Sequence, residues 1–139
     1  MPGDRAFIDS NVLIYAYSNT EPEKRQKAQT EIRKYDRIIS TQVLNEFCNT
    51  SLYKLKKTHN EVVEAIQEIT ENNIVTQIHT GTIVRALFLQ ERYRYSYYDC
   101  IMLASALSNE CTIILSEDMQ HGQIIEDKLT ILNPFHIEI

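Results

Sequence analysis

The apolar residues of this chain change period as it runs. Short strand-like clusters give way to stripes recurring every three or four positions, then return, and few architectures accept that alternation. The stretch Phe7-Ile8-Asp9-Ser10-Asn11-Val12-Leu13-Ile14-Tyr15-Ala16 sets the pattern. An apolar pair meets one acid, then two small polar residues, then a second apolar run. It reads as a buried strand ending in a carboxylate and passing directly into a helix. Ser10 or Asn11 can cap that helix by accepting from its free N–H groups.

The same alternation continues. Thr20 and Glu23 have capping-box spacing around Pro22 and predict a polar surface helix reaching Lys34. Arg37-Ile38-Ile39-Ser40 is a short strand. Ser40 or Thr41 then caps a helix whose apolar residues fall at Val43, Leu44, Phe47, Cys48, Leu52 and Leu55. Thr58 and Glu61 repeat the capping-box spacing, and Val62, Val63, Ile66 and Ile69 form the next stripe, ended by Asn72-Asn73. Ile74-Val75-Thr76-Gln77-Ile78 alternates as a strand, and His79-Thr80-Gly81 reads as a turn. Ile83, Val84, Leu87 and Phe88 mark another helix. Ser96 caps the following one, with Asp99 in its first turn and Asn109 as its C-cap. Thr112-Ile113-Ile114-Leu115-Ser116 is the clearest strand, and Leu129-Thr130-Ile131-Leu132 is the last, closed by Asn133-Pro134. Strands alternating with helices predict an α/β fold: a central, mostly parallel sheet flanked by helices on both faces. With no internal repeat, low-complexity tract or linker, residues 1–139 read as a single domain.

At 139 residues with 43% hydrophobic content, the chain can bury one sizeable core. Its apolar runs are too short to cross a bilayer, and Met1-Pro2-Gly3-Asp4-Arg5 opens no signal peptide. Cys48, Cys100 and Cys111 have no close pairing motif. Cys48 and Cys100 sit on helical stripes, so the thiols read as reduced core residues of a cytoplasmic protein. The formal net charge of −5 is unexpected for a protein that handles nucleic acid. Either the acids are gathered around cations that reverse the local field, or the protein does not touch nucleic acid; the distribution of charge decides between these, not its sum.

Four acids sit in comparable settings. Asp9 follows the first strand and Asp118 follows the fourth. Glu46 lies a turn or so into the helix after the second strand, and Asp99 opens the helix before the fourth. In a parallel sheet these positions share one edge, the edge where open α/β sheets bind ligands. Any one of them alone would pass for a turn former, a helix cap or a solvated helix residue. Gathered together, four carboxylates cannot all stay ionised without a cation between them. Oxygen-only ligands suit Mg²⁺ or Mn²⁺, which can activate a water and stabilise a phosphate under attack, with one ion or two.

The segments Phe7-Ile8-Asp9-Ser10-Asn11-Val12-Leu13, Tyr98-Asp99-Cys100-Ile101-Met102-Leu103-Ala104-Ser105-Ala106 and Ile114-Leu115-Ser116-Glu117-Asp118-Met119-Gln120-His121-Gly122 resemble a PIN domain, in particular the VapC-type toxins of prokaryotic toxin–antitoxin pairs. Ser40-Thr41-Gln42-Val43-Leu44-Asn45-Glu46-Phe47 is similar to the stretch around that family's second acid, and Leu132-Asn133-Pro134-Phe135 to a common family ending. The resemblance implies an endoribonuclease in which Asp9, Glu46, Asp99 and Asp118 hold Mg²⁺ or Mn²⁺. Ser10, Asn11 and Ser116 take supporting places, Ser116 matching the family's Ser or Thr two positions before the fourth acid. Glu117 adds a neighbouring acid, and Asp118 matches the family spacing better. The resemblance also implies an RNA substrate, a homodimer and a small antitoxin protein.

Apolar side chains on 12–17 and 43–55 exceed what one buried face needs, which reads either as a surface left for a partner helix or as two helices buried in a compact domain. Arg92-Tyr93-Arg94-Tyr95-Ser96-Tyr97-Tyr98 interleaves cations and aromatics just before Asp99, as a segment that stacks on bases would, or as a connection with half-buried tyrosines would. Lys24, Arg25, Lys27, Lys54, Lys56 and Lys57 could flank an RNA groove or form solvated faces. His121, near Asp118, reads either as a residue that reaches the site or as a surface-turn residue. Two other functions compete: a PIN-like module that binds RNA or a partner without cutting, and a phosphatase of the haloacid dehalogenase type. The latter needs a second Asp two places after the first, where this chain has Asn11.

Overall fold

The structure is a computed structural model that describes residues 4–137. Met1, Pro2 and Gly3, part of the segment in which no signal peptide is read, lie outside the described residues, as do Glu138 and Ile139. Six strands form one sheet: β1 (Arg5–Ile8), β2 (Asp36–Ser40), β3 (Ile74–Thr76), β4 (Ile113–Leu115), β5 (Ile124–Ile125) and β6 (Leu129–Leu132). Their order is β3-β2-β1-β4-β6-β5, with every pairing parallel except β5 on β6. Six helices connect them: α1 (Ser10–Tyr17), α2 (Pro22–Ile32), α3 (Thr41–Tyr53), α4 (His59–Asn72), α5 (Thr80–Tyr93) and α6 (Tyr97–Ser108).

Helices cover both faces, and the burial of the central strands shows why they must. Consecutive residues Ala6, Phe7 and Ile8 are all fully buried, as are Ile114 and Leu115. Alternate side chains of a strand point to opposite faces, so such runs need cover on each side. Helix α6 is buried on every side from Cys100 to Leu107 and packs against β1, β2 and β4. Helices α1, α2, α3 and α4 pack among themselves, and α5 packs on α6.

Several local expectations are corrected. Asp9 itself, with extended backbone (φ −66°, ψ 149°), is the N-cap of α1, so Ser10 and Asn11 fall inside the helix. The Thr20–Glu23 capping box does not form. Glu21 is the N-cap without a side-chain bond, while Thr20 is engaged with the Ser18 hydroxyl at 2.8 Å, and α2 ends at Ile32. The box at Thr58 and Glu61 does form, with bonds of 2.9 and 3.1 Å. Strand β3 stops at Thr76, and His79-Thr80-Gly81 is the start of α5 rather than a free turn, with His79 as N-cap. Strand β5 has no sequence signal of its own. Its turn to β6 is closed by the Lys128 N–H donating to the Ile125 carbonyl at 3.1 Å, with Glu126 (φ 52°) and Asp127 (φ 58°) both left-handed. Such turns favour Gly or Asn at both central positions. Here the Tyr93 hydroxyl accepts from the Glu126 N–H at 2.9 Å and donates to its carboxylate at 2.8 Å, and Arg92 pairs with the same carboxylate. Those contacts hold a turn that local preference does not select.

Cys100 and Cys111 are buried, and burial raises their thiols to about 11 and about 12. Cys48 is only half-buried, where it was expected inside the core. Among the described residues, no helix is long and apolar enough to cross a membrane.

Candidate functional site

The strand order creates the site. From β1 the chain steps outward to β2 and β3, then returns through α5 and α6 to place β4 on the other side of β1. The β1–β4 junction is therefore a switch point, where the connections leave in opposite directions and open a crevice at the carboxyl ends of the strands. Asp9 sits at the end of β1 and the segment 116–118 at the end of β4. The Asp9 N–H donating to the Leu115 carbonyl at 3.0 Å extends the pairing to the very lip of that crevice.

Asp9 is 2% exposed, which sets its chemistry. Its Oδ1 accepts from the Ser10 hydroxyl at 3.2 Å and the Asn11 N–H at 3.4 Å, and its Oδ2 accepts from the buried Ser116 hydroxyl at 2.8 Å. Burial dominates these bonds and pushes the Asp9 carboxyl up to about 6. Ser116 and the Asn11 N–H oppose the rise, while the charges of Asp99 and Asp118 add to it. Asp99 lies in the first turn of α6, where its own N–H donates to the Ser96 cap at 3.2 Å. Burial and then the Asp118 charge raise its carboxyl above the usual range, against hydrogen bonding from Ser96. Glu46 is raised first by burial and further by Asp99, with Gln42 and Ser10 pulling the other way. Its Oε1 is buried without a hydrogen-bond partner. Asp118, at the exposed rim, accepts at 2.7 Å from the Asn11 side-chain amide.

The four acids named from the sequence are thus linked by their fields: Asp99 to Glu46 and Asp9, and Asp118 to Asp9 and Asp99. Among the described residues, no group of three or more His, Cys, Asp or Glu is drawn together tightly enough to hold a metal ion as it stands. The donor chemistry nonetheless suits a hard divalent cation. All four groups offer oxygen, three are raised by burial, and one buried carboxylate oxygen has no partner. A cation among them would relieve both the repulsion and the unmet bond.

Glu117 faces elsewhere. Lys24 pairs with its Oε2 at 2.6 Å, and the Tyr15 hydroxyl donates to its Oε1 at 3.1 Å. Lys24 also lies over the Tyr15 and Phe135 rings, 4.6 and 5.2 Å from their centroids. Sequence reasoning missed this clamp, because nothing local links residues 15, 24, 117 and 135. It also missed the Asn11–Asp118 bond, which spans the switch point. His121 is half-buried; its Nδ1 accepts from the Asn133 N–H at 3.0 Å and its ring stacks on His136 at 4.0 Å.

The PIN domain family model matches residues 6–125. No curated protein sequence matches the chain. Among solved structures, a toxin–antitoxin complex from Klebsiella pneumoniae is similar at a TM-score of 0.73 and 20% identity, over 95% of this chain and 99% of that one. VapC20 of Mycobacterium tuberculosis, described as a sarcin–ricin loop cleaving toxin, is similar at 0.67 and 14%, over 81% and 91%. VapBC2 of Rickettsia felis, bound to a DNA fragment from its promoter, is similar at 0.64 and 11%, over 93% and 99%. At such identities the likeness to these structures is one of fold.

Proposed function

This chain belongs to the PIN domain family, and from that premise we propose that it is a metal-dependent endoribonuclease, the cytoplasmic toxin of a prokaryotic toxin–antitoxin pair. The observation that carries the proposal is the electrostatic linkage of Asp9, Glu46, Asp99 and Asp118 at the switch point, together with the partnerless Oε1 of Glu46. These four would hold Mg²⁺ or Mn²⁺. Such a cation supplies a water acidified enough to attack at neutral pH and neutralises charge building on the phosphate. The chain's own groups prepare the site. Ser116 and Ser10 fix both oxygens of Asp9, Asn11 aims Asp118, and the Ser96 cap holds the turn that carries Asp99. Lys24 and Tyr15 keep Glu117 apart, so four acids rather than five serve the site.

Purified protein incubated with RNA and Mn²⁺ should cleave it, and chelator should stop the cleavage. No cleavage of any RNA under those conditions would leave a binding module as the better reading. The toxin role predicts that expression alone arrests growth and that a small neighbouring protein co-purifies and restores it. If neither occurs while RNA is cut, the chain is a housekeeping nuclease.

The proposed homodimer finds support on a different surface from the two helices singled out in the sequence. Helix α1 buries Val12, Leu13 and Ala16, and α3 buries Val43, Phe47 and Ser51. The exposed stripe is on α5: Ile83, Val84, Leu87 and Phe88, with Phe88 73% exposed. Two copies of α5 crossing antiparallel at Phe88 would bury like against like and set Arg85 of each opposite Glu91 of the other. Phe88→Glu should give a monomer by light scattering at concentrations where the parent is a dimer; a parent monomeric throughout removes the dimer.

A further inference from the structure

The tyrosines before Asp99 do not share one role. Tyr93 closes on Glu126 through both its hydroxyl bonds. Tyr95 bonds Gln123, and its hydroxyl also accepts from the Gln120 N–H at 3.0 Å. Tyr97 is half-buried and packs on the core. Tyr98 is different: it is 57% exposed, and no hydrogen bond ties its hydroxyl among the described residues. The Tyr97 and Tyr98 rings meet in an edge-to-face arrangement, 5.5 Å between centroids at 66°, and more than half of Tyr98 stays open to solvent. It stands one residue before Asp99, about 100° around the same helical turn from one of the four linked acids.

We propose that Tyr98 is a stacking platform for an unpaired nucleobase of the RNA whose backbone enters the carboxylate site; this rests on the ribonuclease reading above. With a formal net charge of −5 the chain as a whole does not attract phosphate, so contacts that are independent of charge gain weight. Base–aromatic stacking does not depend on that charge, and each stacked base contributes about 1–3 kcal/mol, or roughly 5- to 150-fold in affinity. Arg94, exposed and left-handed (φ 68°) at the end of α5, makes no ion pair among the described residues and is the nearest cation in sequence free to meet a phosphate.

Fluorescence anisotropy of a labelled single-stranded RNA dodecamer, with chelator present so that nothing is cut, tests the platform. Tyr98→Ala should weaken binding at least about fivefold, with the dependence of log affinity on log salt unchanged, because no phosphate contact is lost. Tyr98→Phe should bind as the parent does. Arg94→Ala should flatten the salt slope by about one unit. A base-free ribose-phosphate oligomer should not distinguish Tyr98→Ala from the parent. Equal RNA binding by the parent and Tyr98→Ala overturns the platform and leaves the ribonuclease standing if Mn²⁺-dependent cleavage persists. If Tyr98→Ala instead changes only oligomeric state or binding of the partner protein, the ring belongs to a protein interface and the inference fails. A parent that neither binds nor cuts RNA overturns both.

Discussion

Asp9 shows how one side chain can serve opposed demands. It caps α1, accepts from two hydroxyls and is almost wholly removed from water. Its folded carboxyl is raised from 3.8 to about 6, so the proton is bound more tightly in the folded chain than in the unfolded one. The stability this contributes is complete below about pH 4 and is lost as pH rises through about 6. At neutral pH, without a cation, the ionised group therefore costs about 3 kcal/mol. Chemical denaturation in chelator should show the parent losing stability between pH 4 and pH 7, and Asp9→Asn losing much less. The same variant should cut RNA at least about 100-fold more slowly with Mn²⁺ present, since it removes a charged ligand while keeping the shape. Parental cleavage by Asp9→Asn would remove Asp9 from the site. Ser116→Ala leaves Oδ2 of a buried carboxylate without its donor and should cost about 1–3 kcal/mol in a melting curve. Losing that bond raises the Asp9 carboxyl further, so the acid limb of the cleavage profile should move to higher pH.

At the scale of elements, two helix caps allow stability and function to be separated. Ser96 caps α6 and Thr58 caps α4 with similar bonds, 3.2 and 3.1 Å to the N–H three residues on. Changing either to Ala should cost about 1 kcal/mol. Only Ser96 holds the turn that carries Asp99, so Ser96→Ala should slow cleavage well beyond Thr58→Ala at matched stability. Equal cleavage by the two would mean that Asp99 is positioned by packing alone. Helix α6 has a second duty as the centrepiece of the core. A helix apolar all round must be buried all round, and Leu103, at 0% exposed, is at its middle. Leu103→Ala should lower unfolding stability by about 2–5 kcal/mol in denaturant. Both duties were foreshadowed by the run from Ser96 to Leu107, where a cap, an acid and an apolar stretch interrupted only by Ser105 follow one another. Strand β5 had no such signal. Its turn uses Glu126 and Asp127 in a conformation those residues disfavour, and only Tyr93 and Arg92, over thirty positions away, account for it.

For the whole molecule, the site is a consequence of topology, and a cation bound there links it to stability. If the four acids hold Mn²⁺, saturating ion at about 100 times its dissociation constant stabilises the fold by about 2.7 kcal/mol, a rise of about 5–10 °C in melting temperature for a domain of this size. Asp9→Asn should lose most of that rise, and calorimetry in graded Mn²⁺ measures both. No shift in the parent would mean that no cation is held. By itself the sequence determined the alternation of strands and helices, the caps at Thr58 and Ser96, and the placing of acids after strands, because hydrophobic period and capping chemistry act over a few residues. Only the tertiary structure decided that β4 returns beside β1. That return opens the crevice, links Asp9 electrostatically to Asp99 and Asp118, draws Glu117 away to Lys24 and leaves Tyr98 facing water while its neighbours are consumed. Strand order and long-range pairing depend on which faces find cover across tens of residues, and no local pattern encodes that.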